Sequence, residues 1–141
     1  MIAATCLLVV VSFPHALEDF HYRDLARFGI DLPLGIAVLA TAYAIQLVGI
    51  VLVLRGGRGG AMLLAAMGIV WCFGAIVVHG HDMLFAGEQY RHGLISRALE
   101  LLIIALGVTV AALGILVAKT EAHRDVEKAP SAVPPRDRDD G

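Results

Sequence analysis

The sequence predicts an all-α fold, an integral membrane four-helix bundle with up-down-up-down topology. Hydrophobic residues make up 58% of the 141 residues and charged residues only 17%, with a mean hydropathy of +0.77. A soluble domain is normally about half apolar and about a quarter charged. Four apolar runs approach or exceed the roughly 18 residues that cross a bilayer as a helix. The runs lack the alternating polarity of transmembrane β-strands.

The predicted spans cover residues 2–17, 32–54, 61–78 and 94–118, within one transmembrane domain over 1–120. A polar tail follows over 121–141, and we expect residues 119–128 to extend span 4 by a few turns into water. Its prolines and alternating charges leave little apolar surface to bury, so we expect it to be largely disordered.

Span 1 is the shortest run and carries Pro14 in its last turn. A secretory signal peptide has an apolar stretch of similar length, so cleavage of this segment is an alternative. However, no Lys or Arg precedes the run, and the sequence over 13–16 is a poor cleavage site. These observations favour a retained helix.

The segment over 18–28 predicts a short amphipathic helix at the membrane interface. Phe20, Leu25 and Phe28 recur at near-helical spacing with charged residues between them. Gly29 is a natural end for this helix.

The remaining connections predict antiparallel packing of neighbouring spans. Asp31 followed by Pro33 is typical of a helix start, here that of span 2. The glycine-rich turn over 56–60 joins spans 2 and 3 tightly. The stretch over 79–93 mixes apolar and charged residues and is a candidate for a second interfacial segment.

Each span has one face of small or polar residues, which in lipid marks the surface that contacts another helix. We therefore expect these faces to turn toward the bundle axis, or toward a membrane-protein partner or a second copy of the chain. They comprise Thr5, Ser12, His15 and Asp19 in span 1, Gly35, Ala42, Gln46 and Gly49 in span 2, Ala61, Ala65, Gly68, Cys72 and Ala75 in span 3, and Glu100, Gly107, Ala111, Gly114 and Ala118 in span 4.

The distribution of positive charge predicts the orientation. Arg55 and Arg58 lie in the connection between spans 2 and 3, which has no acidic residue. Seven of the 11 Lys and Arg residues lie in this connection or after span 4. By the positive-inside rule, both termini of this multi-pass cell-membrane protein are cytoplasmic.

Histidines cluster at the opposite face. Five of the six histidines lie in or beside the connections between spans 1 and 2 and between spans 3 and 4, which a four-span chain places on the same side of the bilayer. Imidazole and carboxylate groups are ligands for Zn, Cu and Fe. The predicted metal ligands at this outer face are His15, Asp19, His79, His81, Asp82 and Glu100.

Three functional hypotheses follow. The first is a membrane protein that binds a transition metal or a redox cofactor at this cluster. The second is a cofactor-free accessory or assembly subunit of a membrane complex, and the third is a proton-coupled carrier of a small solute. The spacing matches no established metal or catalytic motif, so no reaction is predicted. Lipid is the expected surrounding, and we expect no nucleic-acid partner.

Overall fold

Four long helices form the fold in a computed structural model, which describes residues 1–85 and 93–128. They are α1 (Ile2–Tyr22), α2 (Leu32–Leu54), α3 (Arg58–Phe85) and α4 (Gly93–Lys128). A short 3₁₀ helix (Asp24–Phe28) lies between α1 and α2, and no strand occurs within the described ranges. All four long helices are long and apolar enough to cross a membrane. The all-α prediction is therefore confirmed.

Three helices run further than the apolar runs that predicted them, including α4, whose run ends at residue 118 and which continues to Lys128. Span 1 was predicted to end at residue 17 and span 3 at residue 78, but α1 continues to Tyr22 and α3 to Phe85. The length of an apolar run marks what fits in hydrocarbon, whereas backbone hydrogen bonding can continue into a polar sequence. Pro14 lies inside α1 without ending it.

The segment over 18–28, predicted as one amphipathic helix, is divided in two. Its first residues are the last turns of α1, and the rest forms the 3₁₀ helix. The break lies at Arg23, whose φ of 59° is left-handed and whose N–H donates to the Asp19 carbonyl. Such a residue commonly ends a helix, and here it redirects the chain.

The connection into α2 is built as predicted. Gly29 adopts a φ of 74° and ends the 3₁₀ helix. Asp31 then caps α2, since its carboxylate accepts a hydrogen bond of 2.9 Å from the Leu34 N–H.

Small residues allow the backbones of α3 and α4 to approach closely. A Cβ atom added at Gly68 would lie 2.5 Å from the Gly107 carbonyl oxygen. One added at Gly114 would lie 2.6 Å from the Ala61 carbonyl oxygen. Every residue of the predicted inward faces is buried or half-buried, so the prediction of inward faces is confirmed.

The remaining helices pack around this pair. Helix α2 packs against α3, and α1 packs mainly against α4, whereas α1 and α2 contact each other sparsely. Buried side chains from α1, α3 and α4 form the core, including Leu8, Leu64 and Ile103. Large apolar side chains such as Val10 and Phe73 are exposed on the outer surface, which suits contact with lipid.

Some predicted features lie outside the described residues. These are residues 86–92 of the second interfacial segment, including His92, and the tail over 129–141. The first residues of the tail predicted over 121–141 are helical, because α4 continues to Lys128.

Candidate metal centre

Three helices bring ionisable side chains together at one end of the bundle. Helix α1 contributes His15 and Asp19, α3 contributes His79, and α4 contributes Glu100. His15 and Asp19 are four residues apart and so share one helix face. His79 and Glu100 continue the small-residue faces of α3 and α4, so the close crossing of these helices places both side chains between them. Only 5% of His15, 2% of His79 and none of Glu100 is exposed.

The two imidazole rings present the same nitrogen to each other. The Nε2 atoms of His15 and His79 lie 3.3 Å apart, with the ring planes inclined at 65°. Asp19 Oδ1 lies 3.3 Å from His79 Nε2 and 3.7 Å from His15 Nε2. Two nitrogens and one oxygen therefore form a compact triangle.

Each ring turns its other nitrogen toward a second carboxyl group. His79 Nδ1 lies 3.4 Å from Glu100 Oε1, and His15 Nδ1 lies 3.7 Å from Glu18 Oε2. In metal proteins, a carboxylate at the outer nitrogen fixes the tautomer and orientation of a ligating histidine. Glu100 is placed for this role at His79, whereas His15 Nδ1 and Glu18 Oε2 both lack a hydrogen-bond partner at their separation of 3.7 Å. Glu100 Oε1 is also 3.8 Å from His15 Nε2, so it adjoins the centre as well.

Two sides of the triangle, at 3.3 Å, match the spacing of ligands around a metal ion, and the third is longer at 3.7 Å. Ligands about 2.0–2.1 Å from a tetrahedral Zn²⁺ are separated by about 3.3–3.4 Å. Among the described residues, Asp19 Oδ1 is a buried atom without a hydrogen-bond partner. Buried polar atoms are rarely left in that state, and a bound cation would satisfy this oxygen.

His81 and Asp82, which the sequence placed in the site, are not brought to this cluster. The His81 side chain is 83% exposed. Asp82 accepts a hydrogen bond of 3.1 Å from Arg27 in the 3₁₀ helix and lies 3.3 Å from His81 Nδ1. The two residues form a separate, partly exposed group with Arg27.

Asp24 was missed by the sequence reasoning. It is 2% exposed, and ligand atoms of Asp19, Asp24 and His79 lie within 4.8 Å of one another. The sequence placed Asp24 among the charged residues of an exposed helix face. The break at Arg23 turns it inward instead, and nothing in the sequence marks that break.

An apolar cavity of about 220 Å³ adjoins the cluster between α1, α2 and α3. His15, Asp19 and His79 form part of its wall, together with the hydroxyl-bearing Ser12. The remaining lining is mostly apolar. The cluster therefore borders a space that is large enough for more than a water molecule.

Comparison with known proteins shows no relationship for this chain. No protein-family model, curated protein or solved structure matches it. The chemistry of the cluster is therefore the only basis for assigning a function.

Proposed function

We propose that this is a small multi-pass membrane protein that binds one transition-metal ion between α1 and α3. His15 Nε2, His79 Nε2 and Asp19 are the ligands. The observation that carries the proposal is the 3.3 Å separation of two buried imidazole nitrogens from residues 64 positions apart in sequence. Local helix geometry alone does not produce such a pair. In this assignment Glu100 orients the His79 ring rather than binding the metal directly, although the sequence suggested Glu100 as a ligand.

The ligand set narrows the choice of metal. Two imidazoles and a carboxylate are suitable ligands for Zn, Fe or Cu. They are poor ligands for Ca²⁺ and Mg²⁺, which are hard cations that prefer oxygen ligands. Three protein ligands leave a coordination position open, as in catalytic rather than structural zinc sites. A bound ion would therefore be able to contact another molecule.

The proposed setting is the outer face of the membrane. The excess of Lys and Arg after α2 and after α4 favours cytoplasmic termini and an up-down-up-down path. The 3₁₀ helix then lies near the outer interface, beside the cluster. The cell membrane is the proposed location.

The accessory-subunit hypothesis makes a different structural prediction. A cofactor-free subunit that packs against a partner would have separated histidines and small-residue faces turned outward. Here His15 and His79 are adjacent, and the small-residue faces are buried between helices. Both observations favour the metal site.

A proton-coupled carrier is the second candidate. His15, His79 and Glu100 form a continuous row of titratable groups through three helices, which is also a property of proton relays. A relay needs no metal, so metal binding separates the two candidates.

Metal titration of matched histidine variants tests the proposal. The detergent-purified chain is stripped with a chelator and titrated with Zn²⁺ or Co²⁺. We expect one ion per chain, and His79→Ala to weaken binding by at least about 100-fold, because losing a ligand exceeds the 10- to 100-fold cost of losing an outer partner. His81→Ala is the control, since this exposed histidine is two positions away on the same helix.

The control should retain affinity within a factor of about two, because an exposed side chain outside the site has little effect. Equal weakening by both substitutions would contradict the proposal, as would the absence of binding at micromolar metal.

A further inference from the structure

The cavity beside the metal centre has the polarity of an amphiphile-binding site. His15, Asp19, His79 and Ser12 supply polar atoms where it meets the cluster. The rest of the lining consists mainly of aliphatic and aromatic side chains, and among the described residues that line it there is no Lys or Arg. A ligand would therefore place a polar head at the cluster and an apolar body between the helices.

The cavity opens sideways onto the apolar surface of the bundle. Val38 of α2 and Val70 of α3 both line it, yet their exposed fractions are 58% and 55%. The sparse contact between α1 and α2 leaves this side of the bundle loosely closed. A molecule dissolved in the hydrocarbon layer can enter through such an opening without crossing water.

The size and walls of the cavity suit one ring. An apolar cavity of about 150 Å³ holds benzene, so about 220 Å³ accommodates a substituted six-membered ring. Phe20 and Trp71 lie in the wall. The Trp71 indole is fixed by its hydrogen bond of 3.0 Å to Gln46 Oε1 and by Tyr43, whose ring centroid is 5.4 Å away. Fixed aromatic walls favour an aromatic or quinonoid ring over a flexible chain.

The charges around the cluster select against an anionic head. Four carboxyl groups, those of Glu18, Asp19, Asp24 and Glu100, surround the two imidazoles. An anionic head would bring a fifth carboxyl group into this set. A fatty-acid carboxylate would therefore be repelled, whereas a neutral carbonyl or hydroxyl oxygen can approach the centre.

We propose that this cavity binds the ring of a neutral membrane quinone or quinol, with a ring oxygen toward His15 and His79. The proposal rests on the proposed function in one respect, since the ring oxygen is placed to meet the open coordination position of the metal. The apolar tail leaves through the opening beside Val38 and Val70.

Trp71 offers a direct reporter, because it is the only tryptophan in the chain and lines the cavity. The full chain in detergent is titrated with decylubiquinone while its fluorescence is recorded. We expect saturable quenching. Decanol and sodium decanoate share the ten-carbon chain but lack the ring. In displacement titrations, their dissociation constants should be at least about tenfold higher than that of decylubiquinone, a difference of about 1.4 kcal/mol.

Gly74 allows the cavity to be filled without disturbing the metal ligands. It lines the cavity, and an added Cβ would meet no atom within 4 Å. Gly74→Leu should raise the dissociation constant for decylubiquinone at least about tenfold while leaving Zn²⁺ affinity unchanged. Ala42→Leu, which fills the cavity from α2, should do the same. Ala66→Leu adds bulk on the exposed side of α3 and is the control, expected to bind quinone like the unmodified chain.

The outcomes separate the two proposals. Three results would overturn the quinone assignment alone. The first is metal binding without saturable quenching, and the second is quenching that Gly74→Leu and Ala42→Leu leave unaffected. The third is that decanol or decanoate binds as tightly as the quinone and displaces it. If the unmodified chain binds no metal but shows saturable quenching, and both cavity variants lose that quenching, the quinone site would be supported and the metal centre overturned.

Discussion

The two ring nitrogens of His79 have different surroundings, and this difference defines the role of the residue. Nδ1 lies beside the Glu100 carboxylate, while Nε2 lies 3.3 Å from both His15 Nε2 and Asp19 Oδ1. A carboxylate at Nδ1 favours the tautomer with a proton there and leaves Nε2 as a lone-pair donor. The residue is thereby prepared to bind a cation through Nε2.

Glu100→Gln tests this orienting role. The amide keeps the size of the side chain but removes the charge that favours the ligating tautomer, so we expect Zn²⁺ affinity to fall about 10- to 100-fold with one ion still bound per chain. Glu121→Gln is the control, because Glu121 lies on the same helix and pairs with Arg124 away from the cluster. Isothermal titration calorimetry measures both. An unchanged affinity in Glu100→Gln would show that the carboxylate does not act on His79.

The sequence identifies site residues where periodicity determines their direction. His15 and Asp19 are one turn apart on the polar face of α1, and His79 continues the small-residue face of α3. Asp82 lies only three residues further, but its ion pair with Arg27 directs it to the 3₁₀ helix. That pair joins residues 55 positions apart, so it depends on tertiary structure that periodicity does not contain.

At the scale of the helices, the crossing of α3 and α4 sets the position of the site. Gly68 and Gly107 let the two backbones meet, since an added Cβ at either would lie less than 3 Å from the carbonyl oxygen of the other. This contact fixes the separation of the helices that carry His79 and Glu100. The small-residue faces predicted the contact because close approach in lipid requires small side chains.

Gly68→Ala tests the importance of this crossing. The added methyl group meets backbone atoms that cannot rotate away, so we expect the free energy of unfolding to fall by about 1–3 kcal/mol. Gly74→Ala on the same helix is the matched control, because the added methyl group has open space and Ala favours the helix by up to about 1 kcal/mol. Denaturant unfolding of the detergent-solubilised chain, followed by circular dichroism, compares them. Equal stability of the two variants would contradict the close contact between α3 and α4.

The existence of the helices and both ends of α2 were predictable, whereas the C-terminal ends of α1 and α3 and the break at Arg23 were not. Long apolar runs determine that a segment crosses the membrane, but they carry no information about how far the helix continues beyond it. Arg23 adopts a left-handed conformation that glycine prefers and arginine rarely does. No residue preference signals such a break, which is why Asp24 was missed.

At the scale of the whole molecule, the arrangement in the membrane determines which compartment the metal centre faces. Our proposed orientation places the cluster outside and both termini inside. The sequence predicts this from charge alone. The cavity, in contrast, results from the sparse contact of α1 with α2 and depends on the packing of three helices, which no single segment encodes.

Cysteine labelling tests the orientation. With Cys6 and Cys72 replaced by Ser, single cysteines are introduced at two exposed positions, His21→Cys near the cluster and Thr120→Cys near the end of α4. We expect a membrane-impermeant maleimide to label His21→Cys in intact cells, and Thr120→Cys only after permeabilisation. The reverse pattern would invert the orientation, and labelling of both in intact cells would contradict the three crossings, by α2, α3 and α4, that separate the two positions.

X-ray absorption spectroscopy of the zinc-loaded chain tests the shared metal centre most directly, because it counts the imidazoles bound to the ion. We predict two imidazole nitrogens at about 2.0–2.1 Å from Zn²⁺ together with oxygen ligands. One imidazole should be lost in His15→Ala and one in His79→Ala. A spectrum of the unmodified chain with fewer than two imidazoles, or a count unchanged by either substitution, would contradict a metal held jointly by α1 and α3.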